Sequence, residues 1–195
     1  DVIEIAKEIF SKNDLSARFM VGDAYDLDLN ECSFDLVFSI GVFEHFEDIV
    51  TPIKEQIRIL DKGGLFIAYI VPEYKDNIQK EYEWVNEVLK GYMNANSSGS
   101  LQADKHEVYR SDRGSEKYIP VLEECGLSGI SASGVYPVPM VSHSIDFPFS
   151  LMPPESEKSF VTYLEAILKS NTGFPHPWMC EEGKGNAFVV WGYKV

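Results

Sequence analysis

Two apolar runs dominate the hydrophobic pattern of the chain. Phe34-Asp35-Leu36-Val37-Phe38-Ser39 is one; Leu65-Phe66-Ile67-Ala68-Tyr69-Ile70-Val71 is the other. Near-continuous runs of this kind predict strands buried on two faces. Between them Ile49, Ile53, Ile57 and Leu60 recur at helical spacing. Lys62-Gly63-Gly64 predicts the end of that helix, with a cation in the last turn and then glycine free to turn left-handed. Strand, helix and strand in this order predict a βαβ crossover with parallel strands. Ligands of such sheets bind beyond the carboxyl ends of the strands. That edge is Ser39-Ile40-Gly41-Val42-Phe43-Glu44-His45, where Gly41 lets the backbone come close to a bound molecule.

Other elements follow from weaker periodicity. Residues 1–13 predict a helix whose apolar face is Val2, Ile5, Ala6, Ile9 and Phe10. Ala17–Val21 predicts an edge-side strand, followed by the acidic turn Gly22–Leu27 and a polar loop to Ser33. Residues 73–92 predict a helix with Ile78, Tyr82, Val85 and Leu89 on one face. The polar stretch 94–104 reads as a lid or a plain surface loop. Residues 115–125 predict a short helix with Pro120 near its start and Gly126-Leu127 at its end. Strands are predicted over 130–138, closed by Pro137 and Pro139, and over 186–195. Residues 140–185, about 45 in number, are too many for a bare hairpin loop. They contain a predicted helix over 155–169 with Phe160, Tyr163, Leu164, Ile167 and Leu168 on one face. This insertion is expected to pack on the main domain or on a second subunit, as in a homodimer. Phe147, Phe149, Phe174 and Trp178 either wall a substrate pocket or pack a core. No repeat and no second domain boundary is visible, so residues 1–195 are read as a single domain with an insertion.

Charge narrows the partners. Thirty-one acidic residues against 17 basic ones give a net charge of −14. Phosphate backbones are bound through concentrated Lys and Arg, so nucleic acid is not expected and a small molecule is. No apolar run approaches the roughly 20 residues a membrane span needs. Cys32, Cys125 and Cys180 are odd in number and far apart, with no metal-ligand spacing. That pattern points to reduced thiols and a cytoplasmic setting.

The pattern FDLV-x-S-x-x-V-x-x-H from Phe34 to His45, then L-x-x-G-G-x-hydrophobic from Leu60, resembles the class I S-adenosylmethionine-dependent methyltransferases, in their type 11/12-like branch. Gly22-Asp23-Ala24 is similar to that family's GDA segment, and the helix ending in Gly126-Leu127 to its helix-G-hydrophobic signature. The resemblance implies an α/β, Rossmann-like sheet, mostly parallel with an antiparallel last strand. It implies S-adenosylmethionine as cofactor, with Ser39, Ile40, Gly41 and Val42 along its methionine end. Asp23 and Ala24 would meet the adenine: a carboxylate suits the exocyclic amine and a main-chain N–H suits the ring acceptor. Alone, these residues fit a solvated acidic turn; the FDLV strand that follows in the family's order favours adenine. The family's glycine-rich loop and ribose-binding acid would precede the first helix, and neither is found. The sequence is therefore expected to be N-terminally truncated, beginning after the first βαβ unit; a rearranged member is the alternative.

The resemblance also places the acceptor. The region after the fifth strand of the family often carries the substrate cap, which makes Glu73, Tyr74, His106 and Tyr109 candidates, with Glu44 at the strand end. Glu44-His45 resembles an acid-histidine pair of some O-methyltransferases, which use it with a further acid to hold a metal. That further acid would fall near Gly41, so no metal is expected. Methyl transfer needs alignment and exclusion of water, and a base only where the acceptor must lose a proton. His45 is the candidate for that base, or else caps the next helix. The expected function is methyl transfer to a small-molecule acceptor. The alternative is a non-catalytic scaffold built on the same fold, working through its acidic surface and its insertion. A nicotinamide-dependent oxidoreductase fits the terminal strand less well.

Overall fold

The computed structural model describes residues 2–74, 81–82, 84–85, 87–88, 91, 109–138 and 153–195. Its elements are helix α1 (Val2–Lys12), strand β1 (Phe34–Ile40), helix α2 (Val50–Ile59), strand β2 (Leu60–Ile70), helix α3 (Ile119–Glu124), strand β3 (Leu127–Val135), helix α4 (Pro154–Ser170), strand β4 (Met179–Cys180) and strand β5 (Ala187–Lys194). The five strands form one sheet in the order β1-β2-β5-β3-β4. β1 and β2 are parallel, as the crossover requires. β5 lies between β2 and β3, antiparallel to both. β1, β2 and β3 thus share one direction, and the last strand opposes them. β4 adds two residues outside β3.

One face of the sheet carries the core. Alternation places Val37 and Ser39 of β1, Phe66, Ala68 and Ile70 of β2, and Phe188 and Val190 of β5 on that face, all buried. The helical spacing of Ile49, Ile53 and Ile57 delivers three buried side chains onto them, and Tyr118 and Leu122 join from the α3 side. Burying each such aliphatic side chain contributes roughly 1.5–3 kcal/mol. The opposite face is largely uncovered: Phe38 and Ile40 of β1 are 60% and 62% exposed and Tyr193 of β5 is 49% exposed. The apolar side of α1 is open too, with Val2 at 80% and Ile5 at 57%; only Phe10 finds an aromatic partner, Phe19, at 5.0 Å.

Several expected boundaries move. Ala17–Val21 is not a strand. No neighbouring strand offers it a ladder among the described residues, and Val21 is 85% exposed. α2 ends at Ile59, before the Lys62-Gly63-Gly64 stop, because its last carbonyls find partners elsewhere. Cys32 N–H donates to the Arg58 carbonyl (3.0 Å) and Ser33 N–H to the Ile59 carbonyl (2.8 Å). Lys194 Nζ reaches across from β5 to the carbonyls of Ile57 (2.8 Å) and Leu60 (2.7 Å). Gly63, left-handed at φ +76°, serves instead the irregularity in β2 that separates the Phe34–Leu60 pair from the Leu36–Leu65 pair. β3 begins at Leu127 rather than Ile130, since Gly126 (φ +82°) turns the chain straight from α3 into the sheet. The predicted short helix is a 3-10 turn, Ser115–Lys117, followed by α3 with Pro120 in its first turn. The helix expected over 73–92 and the loop 94–104 fall mostly outside the described residues; Trp84, Val85, Glu87, Val88 and Gly91 within them are helical. α4 matches its expected span and packs on the same chain, Tyr163 against Trp84 with ring centres 5.5 Å apart.

Lys194→Met keeps the aliphatic stem and removes the donor to these carbonyls. It is expected to cost about 1–3 kcal/mol, read as a lower urea midpoint with an unchanged slope; an unchanged midpoint would show that water replaces the lysine at no cost.

Candidate functional site

The carboxyl ends of β1 and β2 meet in a knot of backbone bonds. Gly41 N–H donates to the Tyr69 carbonyl at 2.9 Å. Gly41 is left-handed (φ +63°), and a Cβ there would meet nothing nearer than Glu44 Oε1 at 3.6 Å. Conformation rather than crowding therefore calls for glycine, and the backbone at this turn stays open. The chain then enters a 3-10 turn, Phe43–His45. Phe43 points into the core and Glu44 is 1% exposed. Glu44 Oε1 accepts the Val71 N–H at 3.2 Å, just past the end of β2. The Glu44 carbonyl accepts Ser111 N–H (2.7 Å), and the Ser111 carbonyl accepts Glu73 N–H (2.9 Å). Three segments distant in sequence, 41–45, 71–74 and 109–112, are thereby joined. Buried Ser39 Oγ and Glu44 Oε2 have no hydrogen-bond partner among the described residues.

The same turn aims His45. Its Nδ1 lies 2.8 Å from the Tyr109 carbonyl. A carbonyl only accepts, so Nδ1 carries the hydrogen and, in the neutral ring, Nε2 holds the free lone pair. Beside this contact, Glu73, Tyr74, Tyr109, Arg110, Ser111 and Asp112 line a cavity of about 520 Å³. The structure thus brings Glu73, Tyr74 and Tyr109 together, with His45 bonded to one of them. His106 lies outside the described residues. Burial, then the charges of Glu182 and Glu116, push the Tyr74 phenol well above its ordinary range. Burial and the charge of Glu44 raise Tyr118, and burial, Tyr136 and Glu44 raise Tyr69. Burial lowers Lys117, whose Nζ approaches Ser111 Oγ at 3.4 Å.

Asp23 and Ala24 sit in a separate, exposed turn. Asp23 Oδ1 accepts Tyr25 N–H (2.9 Å) and its carbonyl accepts Asp26 N–H (3.1 Å). This turn is hung on α2 by an ion pair. Arg58 donates to the carbonyls of Leu27 and Leu29, both at 2.9 Å, and pairs with Glu55, which accepts Leu27 N–H at 3.1 Å. Tyr25 packs edge-on to Phe46, one residue after His45, at 5.2 Å. The turn therefore lies beside the segment that follows β1.

Other candidates separate from this cluster. Phe174 lines a second cavity of about 530 Å³ at the end of α4 with Leu168, Asn171 and Pro177. The Trp178 ring lies tilted against Tyr136, with ring centres 5.3 Å apart. Phe147 and Phe149 lie outside the described residues. Sequence reasoning missed Ser111 and Glu182. Nothing in their neighbours marks them, because their partners lie 67 residues away in each case: Ser111 N–H bonds Glu44, and Glu182 bonds Ser115. Among the described residues no three or more His, Cys, Asp or Glu side chains are grouped to hold a metal ion. No described helix is long and apolar enough to cross a membrane.

A family model described as "Methyltransferase domain" matches residues 1–68. No curated protein matches the chain. Among solved structures, a Thermotoga maritima S-adenosylmethionine-dependent methyltransferase superposes with a TM-score of 0.51 at 18% identity, covering 96% of this chain and 68% of that one. The Haloferax volcanii complex between the Trm112 methyltransferase activator and its methyltransferase partner gives 0.52 at 18% identity, with 98% and 66% covered. An Archaeoglobus fulgidus S-adenosylmethionine-dependent methyltransferase gives 0.50 at 10% identity, with 98% and 73% covered. The chain spans about two thirds of the length of these structures. Residues 1–68 thus match a methyltransferase domain, and the fold is that of the class I S-adenosylmethionine-dependent methyltransferases, whose cofactor is S-adenosylmethionine. The residues present fit part of that cofactor: the open turn at Gly41 suits close approach of its methionine end, and the exposed Asp23 carboxylate suits an amine donor.

Arg58→Met is expected to release residues 23–29, read as faster amide exchange there with the sheet unchanged. Arg58, first by its hydrogen bond, holds the Glu55 carboxyl below its ordinary value near 4.5. A lowered folded value stabilises above the ordinary range and is lost as pH falls through it. Exchange in this turn, corrected for its intrinsic pH dependence, should stay flat from neutral pH down to that range and rise only below it.

Proposed function

We propose that the protein transfers the methyl group of S-adenosylmethionine to a small-molecule acceptor held at the carboxyl ends of β1 and β2. The observation that carries this reading is the cavity lined by Glu73, Tyr74 and Tyr109 beside His45. Its size suits a small molecule, and the net charge of −14 disfavours a nucleic acid. A cytoplasmic setting belongs to the same reading, supported by three free cysteines.

When bound, the cofactor supplies an electrophilic methyl group. Asp23 and Ala24 would hold its adenine, and the backbone from Ser39 to Val42 its methionine end. Tyr74 and Tyr109 form the acceptor's walls, and Glu73 stands at the rim. His45 serves acceptors that must lose a proton. Its Nδ1–H stays on the Tyr109 carbonyl, so the ring does not turn and Nε2 takes the proton. Glu44 positions these groups by tying Val71 and Ser111 to one side chain.

Calorimetry with S-adenosylhomocysteine tests the reading. The protein should bind it, and Asp23→Ala should weaken binding about tenfold through loss of one charge-assisted hydrogen bond. A protein that binds none would return the chain to the scaffold reading. With a hydroxyl acceptor, His45→Ala is expected to lower kcat roughly 10²–10⁴-fold while leaving cofactor affinity within about twofold. An equal loss in both would make His45 a structural residue.

A further inference from the structure

Taking the cavity beside His45 as the acceptor site, we propose that Arg110 makes it a carboxylate-binding site, so that the acceptor is a small carboxylic acid held through its anionic group.

The backbone on both sides of Arg110 is pinned. The Tyr109 carbonyl accepts the His45 Nδ1–H at 2.8 Å. Ser111, which is buried, donates its N–H to the Glu44 carbonyl at 2.7 Å and accepts Glu73 N–H on its own carbonyl at 2.9 Å. Its hydroxyl is engaged as well: Oγ accepts the Arg113 N–H at 3.3 Å and Lys117 Nζ at 3.4 Å. Arg110 is therefore carried on a short stretch held between the end of β1 and the exit of β2. Its side chain is not held. Arg58 pairs with Glu55 and Arg113 with Glu116, each at 2.9 Å and three residues apart. Arg110 makes no hydrogen bond or ion pair with its side chain among the described residues, although Glu73 and Asp112 line the same cavity.

A pinned backbone with a free guanidinium is an arrangement suited to a ligand. The guanidinium is a planar fork of N–H donors that meets a carboxylate with two parallel, charge-assisted bonds. Among the described residues that line the cavity, Arg110 is the sole cation, in a chain whose net charge is −14. Tyr74 and Tyr109 set flat, largely apolar rings beside it. A ring bearing a carboxylate meets both kinds of group, and about 520 Å³ accommodates it. Glu73 and Asp112 narrow the class further. Their repulsion scales with the charge of the ligand, so they penalise a doubly charged phosphate more than a singly charged carboxylate. Arg110 also neighbours the carbonyl that aims His45. Anchoring the anionic group there fixes how far the rest of the acceptor stands from Nε2.

The test uses benzoate, with benzamide as its uncharged counterpart, each titrated into the protein with S-adenosylhomocysteine present. The arginine Nε–H resonances are followed by NMR. The chain has four arginines, Arg18, Arg58, Arg110 and Arg113, so the Arg110 resonance is the one lost in Arg110→Met. Benzoate should shift it saturably and benzamide should leave it in place. By calorimetry, Arg110→Met should weaken benzoate binding about 10–100-fold. Arg110→Lys should recover part of that loss, since the charge remains without the fork. Arg113→Met removes an exposed arginine already paired with Glu116 and should leave the affinity unchanged. Equal binding of benzoate and benzamide, an unmoved Arg110 resonance, or an equal loss in Arg113→Met would overturn the proposal. Tighter binding of phenyl phosphate than of benzoate would overturn the choice of a carboxylate. Benzoate binding as expected in a protein that binds no S-adenosylhomocysteine would overturn the acceptor-site reading while leaving the carboxylate site demonstrated.

Discussion

The site depends on one buried carboxylate. Glu44 leaves the sheet one turn after β1 and is almost wholly withdrawn from water. Its side chain takes the first N–H beyond β2, and its main chain takes the N–H of Ser111. A strand end is where a sheet stops satisfying its own backbone. Here the donor left over by β2 is met by β1's continuation, so the two parallel strands are stitched together at the ligand edge by a side chain. Withdrawing a carboxylate from water costs several kcal/mol unless it is paired and hydrogen-bonded. One oxygen of Glu44 is used and the other is buried without a partner among the described residues. The rest of the fold must offset that cost. It does so through the cluster of Phe43, Ile53, Phe66 and Phe188 directly against the same turn.

The sheet is asymmetric, and the asymmetry explains which parts of the structure are rigid. Its covered face is closed by α2 and α3, and α2 is fastened at its carboxyl end by Cys32, Ser33 and Lys194. Fastening α2 also fastens the Asp23 turn, because Arg58 and Glu55 grip that turn from the helix. The Asp23 turn has little apolar burial of its own and borrows its position from α2. The uncovered face, the free side of β1 and the apolar side of α1 lack any such closure among the described residues. A strand with one unpaired edge and an apolar face toward solvent is not where a protein can place residues accurately. The acceptor candidates lie instead past the end of β2, which is paired on both sides.

What could be read from the sequence was local. The FDLV run, the isoleucine period of α2 and the Gly126 turn each declare an element through the chemistry of adjacent residues, and each appears where expected. Ala17–Val21 shows the limit of that reasoning: its residues suit a strand, but a strand needs a partner, and a ladder is not written in five residues. The end of α2 shows the same limit from the other side. Gly63 was the visible stop signal, yet the helix ends four residues earlier because Lys194, more than 130 positions away, supplies donors to its last turn. Candidates drawn from the family pattern, Glu73, Tyr74 and Tyr109, did converge on one cavity. Ser111 and Glu182 were invisible because their contacts are a few long-range hydrogen bonds, which leave no period and no motif.

This division between local and distant determinants matches the chemistry. A cofactor shared by a whole class of enzymes can be met by short local motifs, and the turns at Gly41 and Asp23 are short and local in that sense. An acceptor that differs between enzymes has to be met by side chains whose positions can change without disturbing those turns. Under the proposed reading the acceptor wall in this chain is Tyr74, just past the exit of β2. The separation follows from the strand order itself. β5 enters the sheet between β2 and β3, so the residues just before it start from the carboxyl end of β2, where Phe188 pairs with Ile70.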